Sequence, residues 1–362
     1  TTAGGTNYNN IIGSKVKFNG NYFYNRFNPV TASRTSRQYV LPDSTYFYNA
    51  ASSGDVLNSN QRANFVIDYV IDSVNSLKIS PSFSYQRSSS HTNSTYENLS
   101  DLMQKSIGGR SNYLASATGY NLANDIIYRH RFAKRGRTLS VSLNTKFNDN
   151  SGTSDLESVN EFYRNNLLTR TDSLNQHSML NNDQKGYTAR AVYTEPVLKN
   201  ALLELSASNS STRSVSDKST YDYNGITKSY DILNDGLSNN YKNLYGTTQA
   251  GFRMRVQKRK YSYAVGASWQ NASLEGTIIS GVKDSVITKS FVNLLPNAQF
   301  RYQFSRFKNL SLNYRSYTSQ PAASQLQPVP DNSDPLNIKL GNPGLKQEFA
   351  NSIQLSYSGV NP

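Results

Sequence analysis

The 362-residue chain contains no cysteine. That excludes a disulfide scaffold, a zinc–thiolate site and a thiol nucleophile. No apolar run approaches 18 residues, which excludes a transmembrane helix. Core-forming residues are scarce as well. With Tyr set aside and Gly counted, roughly 35% of the chain is apolar, against about 45–50% in soluble globular domains. Acidic residues are few: 24 Asp+Glu face 38 Lys+Arg, a formal net charge of +14. Aromatics, by contrast, make up 12%, with 26 Tyr and 15 Phe. Disordered chains are depleted in such residues. A chain rich in aromatics and poor in core formers does not describe one globular core.

What the sequence has instead is strict alternation, the mark of a strand with two unlike faces. Leu77, Ile79, Pro81, Phe83 and Tyr85 alternate with Lys78, Ser80, Ser82, Ser84 and Gln86. Leu139, Val141, Leu143, Thr145 and Phe147 alternate with Ser140, Ser142, Asn144, Lys146 and Asn148. Tyr261 to Gln270 and Leu310 to Arg315 repeat the pattern. Looser versions lie at 64–72, 249–257 and 298–304, and near Lys15–Arg26, Tyr120–Phe132, Tyr187–Glu195, Leu203–Ser210 and Ser352–Ser358. This predicts about twelve strands of roughly 9–12 residues, the length that crosses a bilayer at a tilt.

The predicted connections alternate between two kinds. Ser73–Ser76, Lys134–Arg137, Pro196–Asn200, Lys258–Lys260 and Ser305–Asn309 are tight. The others are long and polar, near 27–60, 88–119, 149–184, 211–243, 271–290 and 319–346. Soluble domains seldom carry structureless loops of that length. Outer-membrane barrels combine short periplasmic turns with long external loops. A secreted sandwich would show turn signals every 8–12 residues or so, without this regularity.

Energy assigns the faces. Lys or Arg at mid-bilayer costs about 2–4 kcal/mol. Lys78, Lys146, Arg253, Arg301 and Arg315 therefore place the polar face on the lumen side. Lys17, Arg129, Arg131, Arg190 and Arg255 join them, against Asp68, Asp72, Asp125 and Glu204. This set reads either as a wall that favours anions or docks an acidic plug face, or as solvated charge in a water-filled lumen. Tyr69, Phe132, Tyr193, Tyr261 and Phe304 fall close to the tight turns, as an interfacial girdle would.

The tail carries a resemblance. Residues 319–349 contain Gln325-Leu326-Gln327-Pro328, then Asp331-Asn332-Ser333 with Pro335-Leu336-Asn337, then Gly341-Asn342-Pro343 with Leu345-Lys346 and Glu348. This order resembles a loop late in the barrel of Bacteroidota outer-membrane β-barrel proteins related to TonB-dependent receptors. Gln347 stands where that family commonly has Pro. Gly4 to Asn9 before the first strand, Leu41-Pro42-Asp43-Ser44 followed by Tyr46 to Asn49, and Tyr193-Thr194-Glu195-Pro196 fit as well. The resemblance implies a transmembrane antiparallel up-and-down β-barrel of about 22 strands, of which residues 1–362 would be a segment. It further implies a signal peptide, often a carboxypeptidase-regulatory-like domain, and a plug with a TonB-contacting segment, none of them in this chain. Residues Ser358 to Pro362 look like a further tight turn.

No constellation suggests catalysis. His91, His130 and His177 are scattered, and the first and last fall in long connections. His130 reads as an interfacial aromatic. The Gly108-Gly109 pair follows no phosphate-cradle pattern and reads as loop flexibility. The basic turns Lys134-Arg135-Gly136-Arg137 and Lys258-Arg259-Lys260 read as membrane-proximal charge, with no nucleic-acid module. Tyr46-Phe47-Tyr48 and Tyr221-Asp222-Tyr223 could stack on sugars or peptides, or close the external mouth.

The expectation is an integral outer-membrane receptor-type barrel for uptake of a large or scarce nutrient, without catalytic, metal-binding or cofactor-binding residues. Its expected partners are outer-membrane lipid and lipopolysaccharide, the TonB system through a plug, and a surface lipoprotein. The competing class is a structural or assembly barrel in an envelope complex.

Overall fold

The computed structural model describes residues 1–42, 44–280, 285–321, 323–326, 340–342 and 344–359. Fifteen strands form one antiparallel sheet. They are β1 (Thr2–Ile12), β2 (Val16–Phe27), β3 (Val30–Val40), β4 (Thr45–Val70), β5 (Asn75–Ser100), β6 (Lys105–Arg131), β7 (Thr138–Arg164) and β8 (Leu167–Leu198). They continue with β9 (Ala201–Asn224), β10 (Ser229–Leu233), β11 (Asn239–Gln257), β12 (Tyr261–Ser280), β13 (Ser285–Gln303), β14 (Lys308–Ser319) and β15 (Glu348–Gly359). One short helix, α1 (Ala323–Leu326), follows β14. The sheet runs in chain order, with β3 attached only to β4 and β10 only to β9. No pairing joins β1 to β15 among the described residues, so the sheet has two outer edges.

All twelve predicted crossings are present, but the strand count is larger. Gly4 to Asn9, expected ahead of the first strand, lies inside β1 and pairs with β2. Its Gly4-Gly5 pair and the Asn residues on both sides of Tyr8 hid the alternation. The long connections are corrected as well. They are mostly continuations of the strands, so that β8 reaches 32 residues and β7 and β6 reach 27. Ser and Thr alternate with other polar residues there, and a pattern polar on both faces carries no period-2 signal. His91 and His177 consequently sit in paired strands rather than loops.

Register keeps the two faces separate. Leu77, Tyr128, Val141, Ala191, Ala207, Ala250, Trp269 and Leu294 form one unbroken row across eight neighbouring strands. Phe83, Leu122, Leu143, Phe252 and Val265 extend this apolar belt, and all are exposed. Such a belt is what hydrocarbon stabilises and water does not. One residue along, Lys17, Asp68 and Lys78 lie side by side on the opposite face. Arg190, paired with Ser142 and Ser208, is on that face too.

Turn chemistry fixes the hairpins. Asn165 and Asn166 are the whole β7–β8 connection, both with positive φ (51° and 61°), which suits a two-residue turn of the mirror-image type. At the other end, Gly136 (φ 88°) allows the Lys134–Arg137 turn. Asp72 closes the β4–β5 turn by accepting from the Val74 and Asn75 amides, each at 2.8 Å.

Candidate functional site: a strap on the polar face

Between β14 and β15 the chain returns to the polar face of β11–β13. Leu326, at 1% exposure, packs with Tyr241 and Leu274, and Leu345 and Ile287 close around them. Four hydrogen bonds fasten the edges. Lys289 Nζ donates to the Leu345 carbonyl at 2.8 Å, and Asn293 Nδ2 to Gln347 Oε1 at 2.9 Å. Gln347 Nε2 in turn donates to the Tyr245 hydroxyl at 2.8 Å, while Thr318 Oγ1 donates to Gln270 Oε1 at 2.8 Å. The Asn342 amide donates to the Gln325 carbonyl at 2.7 Å and so joins residues 323–326 to residues 340–342. Asn342 also accepts from the Gly344 amide through its side chain, at 2.8 Å. Burial pushes the Tyr241 phenol pKa up, so it stays neutral.

At its described residues the connection expected at 319–346 is thus packed against the sheet. Residues 327–339, which hold most of the tail motif, lie outside the described residues, as do Asp43 and Val360 to Pro362. A sign of the strap was present in the sequence. Tyr241, Leu274 and Ile287 are apolar residues at positions whose parity assigns them to the polar face. Such a residue needs a cover, since bare apolar surface in an aqueous lumen is unfavourable. Gln347, the departure from the family pattern, supplies side-chain hydrogen bonds that Pro has no group to make.

Two further clusters lie in the long hairpins. His177 Nδ1 meets Asp155 Oδ1 at 2.6 Å, with Tyr230 5.7 Å from the imidazole centroid to centroid. Sequence spacing concealed this pair, because cross-strand register and not proximity in sequence brings it together. A recess of about 700 Å³ opens between β3 and β7, lined by Arg34, Asn49, Glu97, Lys105, Arg110 and Glu161 among others. Its floor includes Tyr96, which donates to Asn160 and lies over Gly109. Gly109 thus accommodates a tyrosine ring and Gly108 the Lys105 side chain, both within the paired strand β6.

The tight-turn end holds the aromatic girdle. His130 meets Phe132 edge-on at 4.5 Å, Phe132 meets Tyr193 at 6.1 Å, and Phe304 links Tyr302 to Tyr357. His130 Nδ1 also contacts Asn75 Oδ1 at 2.7 Å. Past Tyr193, at the rim, Glu195 is gripped by Arg137 (2.7 Å), Lys134 (2.5 Å) and the Tyr193 hydroxyl (2.7 Å). Those three donors, Arg137 foremost, hold its carboxyl well below the usual carboxylate range.

A belted antiparallel sheet with a polar inner face and an aromatic girdle defines an integral outer-membrane protein. The chain belongs to the outer membrane protein beta-barrel family, which matches residues 130–361. No curated protein matches it by sequence. Solved structures to which it is similar include the translocator domain of the autotransporter NalP from Neisseria meningitidis, at 9% identity and TM-score 0.27 over 84% of this chain and 83% of that one. The outer membrane protease OmpT from Escherichia coli matches at 9% identity and TM-score 0.25, over 80% and 97%. BauA, the ferric preacinetobactin receptor from Acinetobacter baumannii, matches at 9% identity and TM-score 0.16, over 99% and 72%.

Proposed function

We propose that the chain is the wall of an outer-membrane transport barrel of the TonB-dependent receptor type, taking up a large or scarce nutrient and carrying out no catalysis. The observation that supports this best is the strap. A described segment of the chain packs onto the polar face of β11–β13, and in this reading that face is the lumen and the strap narrows its passage. The lumen rows are cationic on balance, which favours an anionic cargo or the acidic face of a plug. Among the described residues β1 and β15 are unpaired on their outer sides, and unpaired backbone groups in lipid cost several kcal/mol each; in this reading the barrel is one of about 22 strands. In this reading the tight turns are periplasmic and the long hairpins extracellular, where a surface lipoprotein would dock and lipopolysaccharide would surround them. No metal or cofactor takes part.

A deletion strain grown on limiting iron chelates, cobalamin, oligosaccharides or peptides tests the proposal. Loss of growth on one class, with uptake in the parent abolished by a protonophore, is the expected result. Normal growth on every class, with an envelope complex falling apart in the mutant, would establish the scaffold function instead.

A further inference from the structure

The excess positive charge is not spread evenly. Outside the six long connections, Asp68, Asp72, Asp125, Glu195, Glu204 and Glu348 are all that remain of the 24 Asp+Glu, while well over half of the 38 Lys+Arg are found there. At the tight-turn rim itself the acids are already engaged. Asp72 is consumed by its own turn, and Glu195 by Arg137 and Lys134. Arg135, Lys199, Lys258, Arg259, Lys260 and Arg306 are exposed on four successive turns, and none has an ion-pair partner among the described residues.

We infer that this rim binds the anionic headgroups of phospholipid. Two observations favour lipid over an acidic protein. The cations occur on every tight turn from β6 to β14, one each on three turns and three on the β11–β12 turn, as a headgroup layer would meet them, rather than on one turn alone. They also lie directly beyond Phe132, Tyr261 and Phe304, aromatics of the kind that sit at headgroup level. Belt, girdle and cations therefore follow the order of acyl chain, interface and phosphate. Lys and Arg near an anionic surface each contribute attraction that fades within a Debye length. On the orientation proposed above, the lipid is that of the inner leaflet. The headgroup preference itself does not depend on the transport reading.

The test reconstitutes the full chain in vesicles of phosphatidylcholine containing spin-labelled phosphatidylglycerol or spin-labelled phosphatidylcholine, and reads the motionally restricted fraction of each. The expected preference for phosphatidylglycerol is about threefold at low salt and close to one at high salt, as screened headgroup attraction requires. Changing Arg135, Lys199, Lys258, Arg259, Lys260 and Arg306 together to Gln abolishes it. Changing Arg34, Arg37 and Arg110 at the opposite end leaves it intact. Folding of each variant is checked by unheated gel mobility, and Lys258→Gln/Arg259→Gln/Lys260→Gln alone lowers the preference partway should the sixfold variant not fold. Equal association of the two lipids with the native chain, or a preference that survives loss of the rim cations, overturns the inference. Equal association together with capture of an acidic periplasmic domain by the rim would assign the surface to protein instead.

Discussion

Gln347 and Tyr245, 102 residues apart in the chain, meet through a 2.8 Å hydrogen bond. Gln347 also accepts from Asn293, so one side chain ties the returning strap to β11 and β13 together. Replacing Gln347 with Ala should cost about 1–2 kcal/mol of local stability, the usual contribution of one or two such bonds. Amide hydrogen exchange at residues 344–347 would rise severalfold, while exchange in β6 and β7 stays unchanged. Unaltered exchange in the strap would show that the Gln347 side chain does not hold it.

Phe83→Arg and Leu143→Arg put a cation into the apolar belt and should each cost about 2–4 kcal/mol of membrane folding. Ser82→Arg and Ser142→Arg, on the polar face, should be close to neutral. Folded yield in outer membranes compares them. Equal yields on both faces would refute the belt.

The crossing strands were legible because each alternates hydrophobic with polar over a bilayer's thickness; residues 77–86 and 139–148 needed nothing more. The hairpin extensions were not legible. Ser88 to Ser94 reads as loop composition, yet every residue there pairs with β4. Two watery faces leave only backbone hydrogen bonding to define such a strand, and that has no side-chain signature. The strap was half legible: its motif stood out, but its seat on Tyr241 and Leu274 depends on contacts between distant strands.

Glu195 contributes pH-dependent stability. Its folded pKa lies below the ordinary value near 4.5, so its contribution is complete above that pH and is lost as the pH falls further. Glu195→Gln should lower the thermal midpoint by a constant amount from pH 7 to about pH 5. The gap from the native chain should then narrow with acid. A gap unchanged at pH 3 would refute the assignment.

At Gly109 an added Cβ would lie 2.4 Å from the Tyr96 ring. Gly109→Val should therefore destabilise the β5–β6 hairpin by about 1–3 kcal/mol, as overpacking generally does. Gly109→Val combined with Tyr96→Ala should recover part of that loss. Urea titration followed by gel mobility measures both.

Trypsin added to intact cells should cut at Lys228, in the β9–β10 connection with φ 53° beside Ile226 at 94% exposure, and spare Arg135. Cleavage at Arg135 alone would invert the orientation.

The strand extensions have a consequence for how this protein tolerates change. A membrane crossing uses about 9–11 residues, so most of the 32-residue β8 lies beyond hydrocarbon. A loop absorbs an inserted residue; a paired strand does not, because a one-residue slip turns every later side chain to the opposite face. Length variation and epitope tags should therefore be accepted at Asp101–Gln104, Asn165–Asn166 and Gly225–Lys228, and be rejected a few residues to either side. In its long-hairpin half the molecule is edited at its tips.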